Sequence, residues 1–216
     1  MAEPELSCRR LVSPEDPAFP GFLNIYAEAI PERERKSPVA IEAMICREDY
    51  LLLLLESAPG VMGFNLIFLP PGKTFFLLEY MAVHQTQRSR GLGALLFQKG
   101  LERARALPGR SCCLIEVDSP REPTEDRELR QRRERFYRDR GCLRVEGLDY
   151  LLPLPGEGAP PAMDLLVHRP EAPRTVAREV LQDWLETIYV EVYGCVHGDA
   201  RVHAMMRNLD DPIRLG

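Results

Sequence analysis

The chain has 216 residues, 45% of them hydrophobic, and a formal net charge of -5. That is enough apolar material for a buried core, and without a long basic run the charge balance gives no case for nucleic acid or an anionic membrane as partner. "MAEPELSCRR" lacks an apolar signal-peptide region and "LLLLL" at 51–55 is far below the ~20 residues of a spanning helix, so the expectation is a cytoplasmic protein with six reduced cysteines.

In chain order, "LSCRRLV" reads as a strand. "FPGFLNIYAEAIPERER" reads as a helix that stops before Pro31 and runs into a charged loop. "SPVAIEAMICRE" starts a second helix, with Ser37 as N-cap and Pro38 first in the helix. "YLLLLLES", "VMGFNLIFL" and "TFFLLEYMAV" are strands, and the turn signals "APG" and "PPGK" between them imply antiparallel neighbours. Residues 91–107 place Leu92, Leu95, Leu96, Leu101 and Ala104 near helical spacing. Gly100 inside that helix costs about 1 kcal/mol relative to Ala, so packing must hold it.

"SCCLIEVDSP" is a strand in which Cys112 and Cys113 act as small core residues. "TEDRELRQRRERFYRDRG" is a charged helix, capped by Thr124 and ended by Gly141, with a charge order that complements its dipole and a solvated basic face. "CLRVEG", "YLLPLP" and "AMDLLVHRP" are strand-like, with "GEGAPP" a loop between the last two. After a boundary at "RPEAPR", Val176, Val180, Trp184 and Ile188 repeat every four residues, with Leu181 and Leu185 widening the stripe of an amphipathic helix. "DARVHAMMRNL" supplies a second short helix. The crossover through residues 91–107 suggests one parallel strand pair.

The segment "LLEYMAVHQTQRSRGLGALLFQKG" goes from strand to helix through two arginines and two glycines. It fails the dinucleotide fingerprint, because Ala94-Leu95-Leu96 follows G-L-G, and it fails the Walker pattern, because Lys99 comes too late. What remains is a strand ending at Val83 and a helix start opened by Gly91 and Gly93. The first amides there lack internal partners and carry the positive dipole end, with Arg88 and Arg90 beside them. The alternative is a tight turn whose glycines allow close packing.

"VHQTQRSRGLGALL" resembles the Q/R-x-x-G-x-G/A motif of the GCN5-related N-acetyltransferases, with Arg88, Gly91 and Gly93 on the motif positions. "RERFYRDRGC" resembles that family's second motif, and "IYAEAIPERER" resembles its I-Y…F-P-x-x-E-R loop. The resemblance covers residues 6–170. It implies a mixed α/β fold with a mostly antiparallel central sheet flanked by helices, splayed between the strands Thr74–Val83 and Ser111–Asp118. It implies acetyl-CoA as cosubstrate and no metal. The pyrophosphate would lie on Arg88, Ser89, Arg90, Gly91, Leu92, Gly93 and Ala94, and the pantetheine along Met81, Ala82 and Val83. The loop "DSPREPTED" lacks the Asn that many members carry there, and the usual Gly-Phe after the second motif is Gly141-Cys142.

Forming an amide from an amine and a thioester requires a neutral amine, an oxyanion donor and a proton for the leaving thiolate. A lysine-like amine, with a pKa near ~10.4, needs a base at neutral pH. Glu79 is the first candidate. Its strand carries Phe75, Leu77, Met81 and Val83 on the same face and Phe76, Leu78, Tyr80 and Ala82 opposite, so a carboxylate there is desolvated and its pKa rises. Alternatively, Glu79 sits at a bulge and bonds backbone groups. Glu116 and Asp118, on one face with Cys112 and Leu114, are further candidates for the base or for orienting the substrate amine. Tyr137 matches the family tyrosine that also contacts the coenzyme and protonates its thiolate; alternatively, it is a core aromatic beside Phe136 and Leu129. Asp199 and His203 are too few for a metal site.

The expectation is therefore an acetyl-CoA-dependent N-acetyltransferase domain over residues 1–170, with a helical extension, 171–216, packed on it. The acceptor is a small-molecule or peptide amine, favoured by the acidic surroundings if cationic, and a homodimer is compatible. The residue 119–127 segment and the "ERERKS" loop shape the acceptor cleft. The alternative is a non-catalytic acyl-CoA-binding or sensor module.

Overall fold

The apolar runs form strands, and their short turns make them antiparallel neighbours. The computed structural model describes residues 6–58, 60–121, 124–154 and 162–216. "GEGAPP", Pro155 of "YLLPLP", Pro59 of the first turn, Glu122 and Pro123 of the "DSPREPTED" loop and the first five residues lie outside them. Two compact units result, Met1–Arg110 and Ser111–Gly216.

In the first unit, strands β1 (Ser7–Leu11), β2 (Tyr50–Ser57), β3 (Gly60–Phe68) and β4 (Phe75–Val83) run antiparallel in that order. Helices cover both faces, so the leucine run of β2 is buried throughout rather than on alternate residues. On one face lies helix α1 (Phe19–Ala29), whose Phe22 ring meets Phe64 edge-on at 4.8 Å. It ends where Ile30 turns extended before Pro31, as a residue before proline must. Ser37 Oγ accepts from the Ala40 amide at 3.2 Å and starts helix α2 (Pro38–Ile45).

On the other face lies helix α3 (Leu92–Arg105), and the Asn65 side-chain amide donates to the Leu96 carbonyl at 2.8 Å. A Cβ at Gly100 would stand 2.7 Å from Asn65 Nδ2. The glycine that weakens this helix on propensity is what lets it approach the strand.

One β4 assignment needs correction. Leu66 pairs with Tyr80 but Ile67 pairs with Leu78, so Glu79 is the extra residue of a β-bulge. The bulge shifts the alternation by one. Met81 and Val83 therefore face the α3 side, packed with Leu92 and Leu96. They share that face with Leu78, across from Ile67, rather than with Leu77, and Tyr80 lies on the face opposite Leu78.

In the second unit, β8 (Ala162–His168) is flanked by β5 (Cys112–Asp118) on one edge. The short strands β6 (Leu143–Arg144) and β7 (Tyr150–Leu151) follow one another on its other edge. Cys112 and Cys113 are buried. Helix α4 (Arg127–Arg138) starts at Asp126, not at Thr124, whose carbonyl instead accepts the Arg127 amide at 3.1 Å. Gly141, at φ 82°, ends that segment. The stripe expected after residue 171 also shifts. Val176 belongs to a strand, β9 (Thr175–Val176), and Val180 is 41% exposed. Helix α5 (Arg178–Glu191) instead buries Leu181, Trp184, Leu185, Ile188 and Tyr189. After helix α6 (Ala200–Met206), strand β10 (Ile213–Arg214) pairs with β9, and Arg144 and Gly216 exchange backbone hydrogen bonds of 2.8 and 3.0 Å. This closing pair was invisible in the sequence because each strand has only two residues.

The fold is thus mixed α/β, with a mostly antiparallel sheet flanked by helices. Among the described residues no helix is long and apolar enough to cross a membrane.

Candidate active site

The strand-to-helix turn is built as an open helix start. Gly91 caps α3 at φ 80°, in the left-handed region where a glycine costs least. No side chain caps the helix and its first turn carries no acid of its own, so its first amides have no intrahelical partner. Ser89, at φ 63°, is the one non-glycine with positive φ among the described residues. Such backbone conformations gather at functional sites. The Arg88 side chain is 55% exposed, and its Nη2 lies 3.8 Å from Glu28 Oε1. The Arg88 amide donates to the Gln85 carbonyl at 3.4 Å and its Nε to the Val83 carbonyl at 3.2 Å. Arg90 Nη1 donates to Gln87 Oε1 at 2.6 Å.

Glu79, displaced by its bulge, has a side chain only 3% exposed, and Lys36 Nζ lies 2.8 Å from its Oε1. Burial raises its carboxyl pKa above the ordinary carboxylate range, against the opposing pull of the Lys36 charge. Lys36 ends a short strap that follows the 3-10 turn Glu32–Glu34. The strap is tied down twice more: Tyr80 Oη donates to the Glu34 carbonyl at 2.8 Å, and the Lys36 amide donates to Tyr26 Oη at 2.8 Å. The Tyr26 and Tyr80 rings meet edge-on at 5.2 Å.

In the second unit, both oxygens of Glu116 accept from tyrosines. Tyr150 Oη donates to Oε1, and Tyr193 Oη donates to Oε2 at 2.7 Å. Asp118, on the same strand face, is paired with Arg133 at 2.6 Å. Tyr137 is buried, and burial pushes its hydroxyl pKa up. It meets Phe136 edge-on at 5.1 Å. Leu129, expected beside them, is 56% exposed and lies outside any core stack. Asp199 caps α6 by accepting the Arg201 amide. Among the described residues no three His, Cys, Asp or Glu side chains gather as a metal site would require.

The sequence model of the Acetyltransferase (GNAT) family matches residues 19–141, more than half of the chain. The chain belongs to the GNAT acetyltransferases. Three solved structures illustrate the shared fold. A GNAT-family protein of Bacteroides thetaiotaomicron superposes with a TM-score of 0.71 at 20% identity, over 88% of this chain and 99% of that one. A GNAT-family acetyltransferase from Elizabethkingia anophelis, with acetyl-CoA bound, gives 0.53 at 14% identity over 76% and 97%. A chimeric spermidine N-acetyltransferase from Vibrio cholerae gives 0.57 at 14% identity over 76% and 95%. A search of curated proteins gave no significant match.

Within this GNAT chain, the residues that sequence reasoning missed are the partners of its candidates. Lys36 was legible only as part of a charged loop. Tyr150 and Tyr193 lie 34 and 77 residues from Glu116, beyond any local pattern. Arg133 sat in a helix read as merely solvated. The one sequence signal available was the polar tip of each tyrosine in an otherwise apolar run, which must find a partner when buried.

Proposed function

We propose that this GNAT protein is an N-acetyltransferase that moves the acetyl group of acetyl-CoA directly onto a primary amine of a cationic small molecule or peptide. The observation that carries the reading is the start of α3: uncapped, free of acids in its first turn and opened by a left-handed Gly91. A Cβ there would meet nothing within 4 Å, so no neighbour crowds that corner of the turn. That surface fits a diphosphate.

In this reading Arg88, Ser89, Arg90, Gly91, Leu92, Gly93 and Ala94 bind the diphosphate, and Met81, Ala82 and Val83 line the pantetheine, with a strand amide polarising the thioester carbonyl. Glu79, or water bound to it, takes the proton of the acceptor amine. Its raised pKa makes it a stronger base than an ordinary glutamate. Tyr137 contacts the coenzyme sulfur and protonates the departing thiolate. Glu116 and Asp118 orient the acceptor. The chimeric relative's substrate, spermidine, is a cation of the class proposed. No metal takes part. The reaction belongs in the cytoplasm, where the six thiols stay reduced, and residues 1–170 form the catalytic domain with 171–216 as its extension.

A second reading, a non-catalytic acyl-CoA-binding module, is favoured by the ion pair that already engages Glu79. Calorimetry with acetyl-CoA, followed by thiol release over a panel of polyamines, aminoglycosides and N-terminal peptides, separates the two. Binding with release supports the enzyme, binding without release supports the module, and no binding sinks both.

A further inference from the structure

The base proposed above is not waiting for its first amine. Lys36 Nζ is 2.8 Å from Glu79 Oε1, at the end of a side chain 20% exposed, reaching a carboxylate that is 3% exposed. The strap presents it: Tyr26 Oη holds the Lys36 amide and Tyr80 Oη holds the Glu34 carbonyl. The residue type is telling. The chain uses arginine heavily and contains three lysines, Lys36, Lys73 and Lys99. An arginine would make a stronger bidentate partner for a carboxylate, but its guanidinium stays charged and is no nucleophile, whereas a lysine amine can be deprotonated. Lys73 lies in the β3–β4 turn and Lys99 pairs with Glu102 on the surface of α3 at 2.9 Å.

We propose that Lys36 is an acceptor of this protein's own acetyl transfer, with Glu79 as its base. The proposal rests on the acetyl-transfer reading above. The Lys36 ammonium gives one proton to Glu79 Oε1. Its nitrogen lone pair forms a bond to the acyl carbon as the carbon–sulfur bond breaks. The second N–H proton leaves with the sulfur as the free thiol. The products are acetyl-Lys36 and coenzyme A, and the proton on Glu79 returns to solvent. Acetylation removes the Lys36 charge, so Glu79 loses its cationic partner and becomes available to an external amine. The strap keeps its two tyrosine tethers.

The test uses the full-length protein with acetyl-CoA and no added amine, followed by intact mass and peptide mapping. The expected result is one acetyl group per chain, on Lys36, formed at a rate constant that does not change with protein concentration. Lys73 and Lys99 serve as internal controls. Lys36→Arg should abolish the labelling. Glu79→Gln, checked for folding by circular dichroism, should slow it at least about ten-fold. Should Glu79→Gln not fold, Lys36→Arg and the concentration dependence still decide. Equal labelling of all three lysines would overturn the proposal. So would an unmodified Lys36 in protein that binds acetyl-CoA by calorimetry and releases thiol with an amine, an outcome that leaves the enzyme reading standing. Absence of acetyl-CoA binding overturns both.

Discussion

The side-chain amide of Asn65 occupies the place where a methyl on residue 100 would stand, 2.7 Å from that Cβ position. Asn65 is fully buried and holds the Leu96 carbonyl at 2.8 Å. Helix α3, and with it the turn at Gly91, is therefore seated on β3 by a contact only glycine permits. Gly100→Ala gains about 1 kcal/mol of helix propensity. It also forces Asn65 and Ile67 to move, at a cost of about 1–3 kcal/mol for overpacking and more if the hydrogen bond is lost. A net loss of up to about 2 kcal/mol, and more if the hydrogen bond breaks, is expected in chemical denaturation, and a stabilised variant would contradict this seating.

Gly91→Ala tests the turn. A residue with a Cβ in the left-handed region costs about 1–2 kcal/mol, and relaxing that strain moves the first amides of α3. Affinity for acetyl-CoA should fall roughly ten-fold, since about 1.4 kcal/mol corresponds to one decade. Isothermal calorimetry reads it directly. Unchanged affinity would place the diphosphate elsewhere.

The raised pKa of Glu79 sets a pH dependence of defined sign. In the folded chain this carboxyl holds its proton to higher pH than when unfolded. Its contribution to stability is therefore fully present below the unfolded carboxylate range and is lost as pH rises through the folded pKa. Catalysis runs the other way, because the base must be ionised. The acid limb of the kcat/KM profile should lie above the ordinary glutamate value near ~4.3 and disappear in Glu79→Gln. An acid limb that persists in that variant assigns the base to another group.

Tyr193→Phe removes one of the two hydroxyls on Glu116. A hydrogen bond to a charged group contributes about 1.5–3 kcal/mol. The site is part-buried, so the lower end, about 1.5 kcal/mol of lost stability, is expected in thermal melts. If Glu116 orients the acceptor, KM for the amine rises while affinity for acetyl-CoA stays fixed. A rise in both would mean that the tyrosine merely supports the unit's packing.

Tyr137→Phe keeps the buried ring and removes the proposed proton donor. A general acid contributes on the order of 10²-fold, so turnover should drop about that much. Unchanged turnover would leave Tyr137 as a packing residue.

What the sequence determined by itself was local and periodic. The apolar runs, the cap at Ser37, the helix start opened by Gly91 and Gly93, the proline stop at Pro31 and the two motifs that mark a GNAT chain all depend on neighbours within a few residues, where steric rules and hydrophobic period suffice. Glu79 was legible as a carboxylate in an apolar strand, but its partner was not. The bulge that displaces it is a register event between β3 and β4, and a one-residue shift changes the face of every residue beyond it. Lys36, Tyr150, Tyr193 and Arg133 meet their carboxylates across 15 to 77 residues of chain. Only the tertiary structure decided those meetings, because a buried charge or hydroxyl takes whichever partner the packing brings within reach.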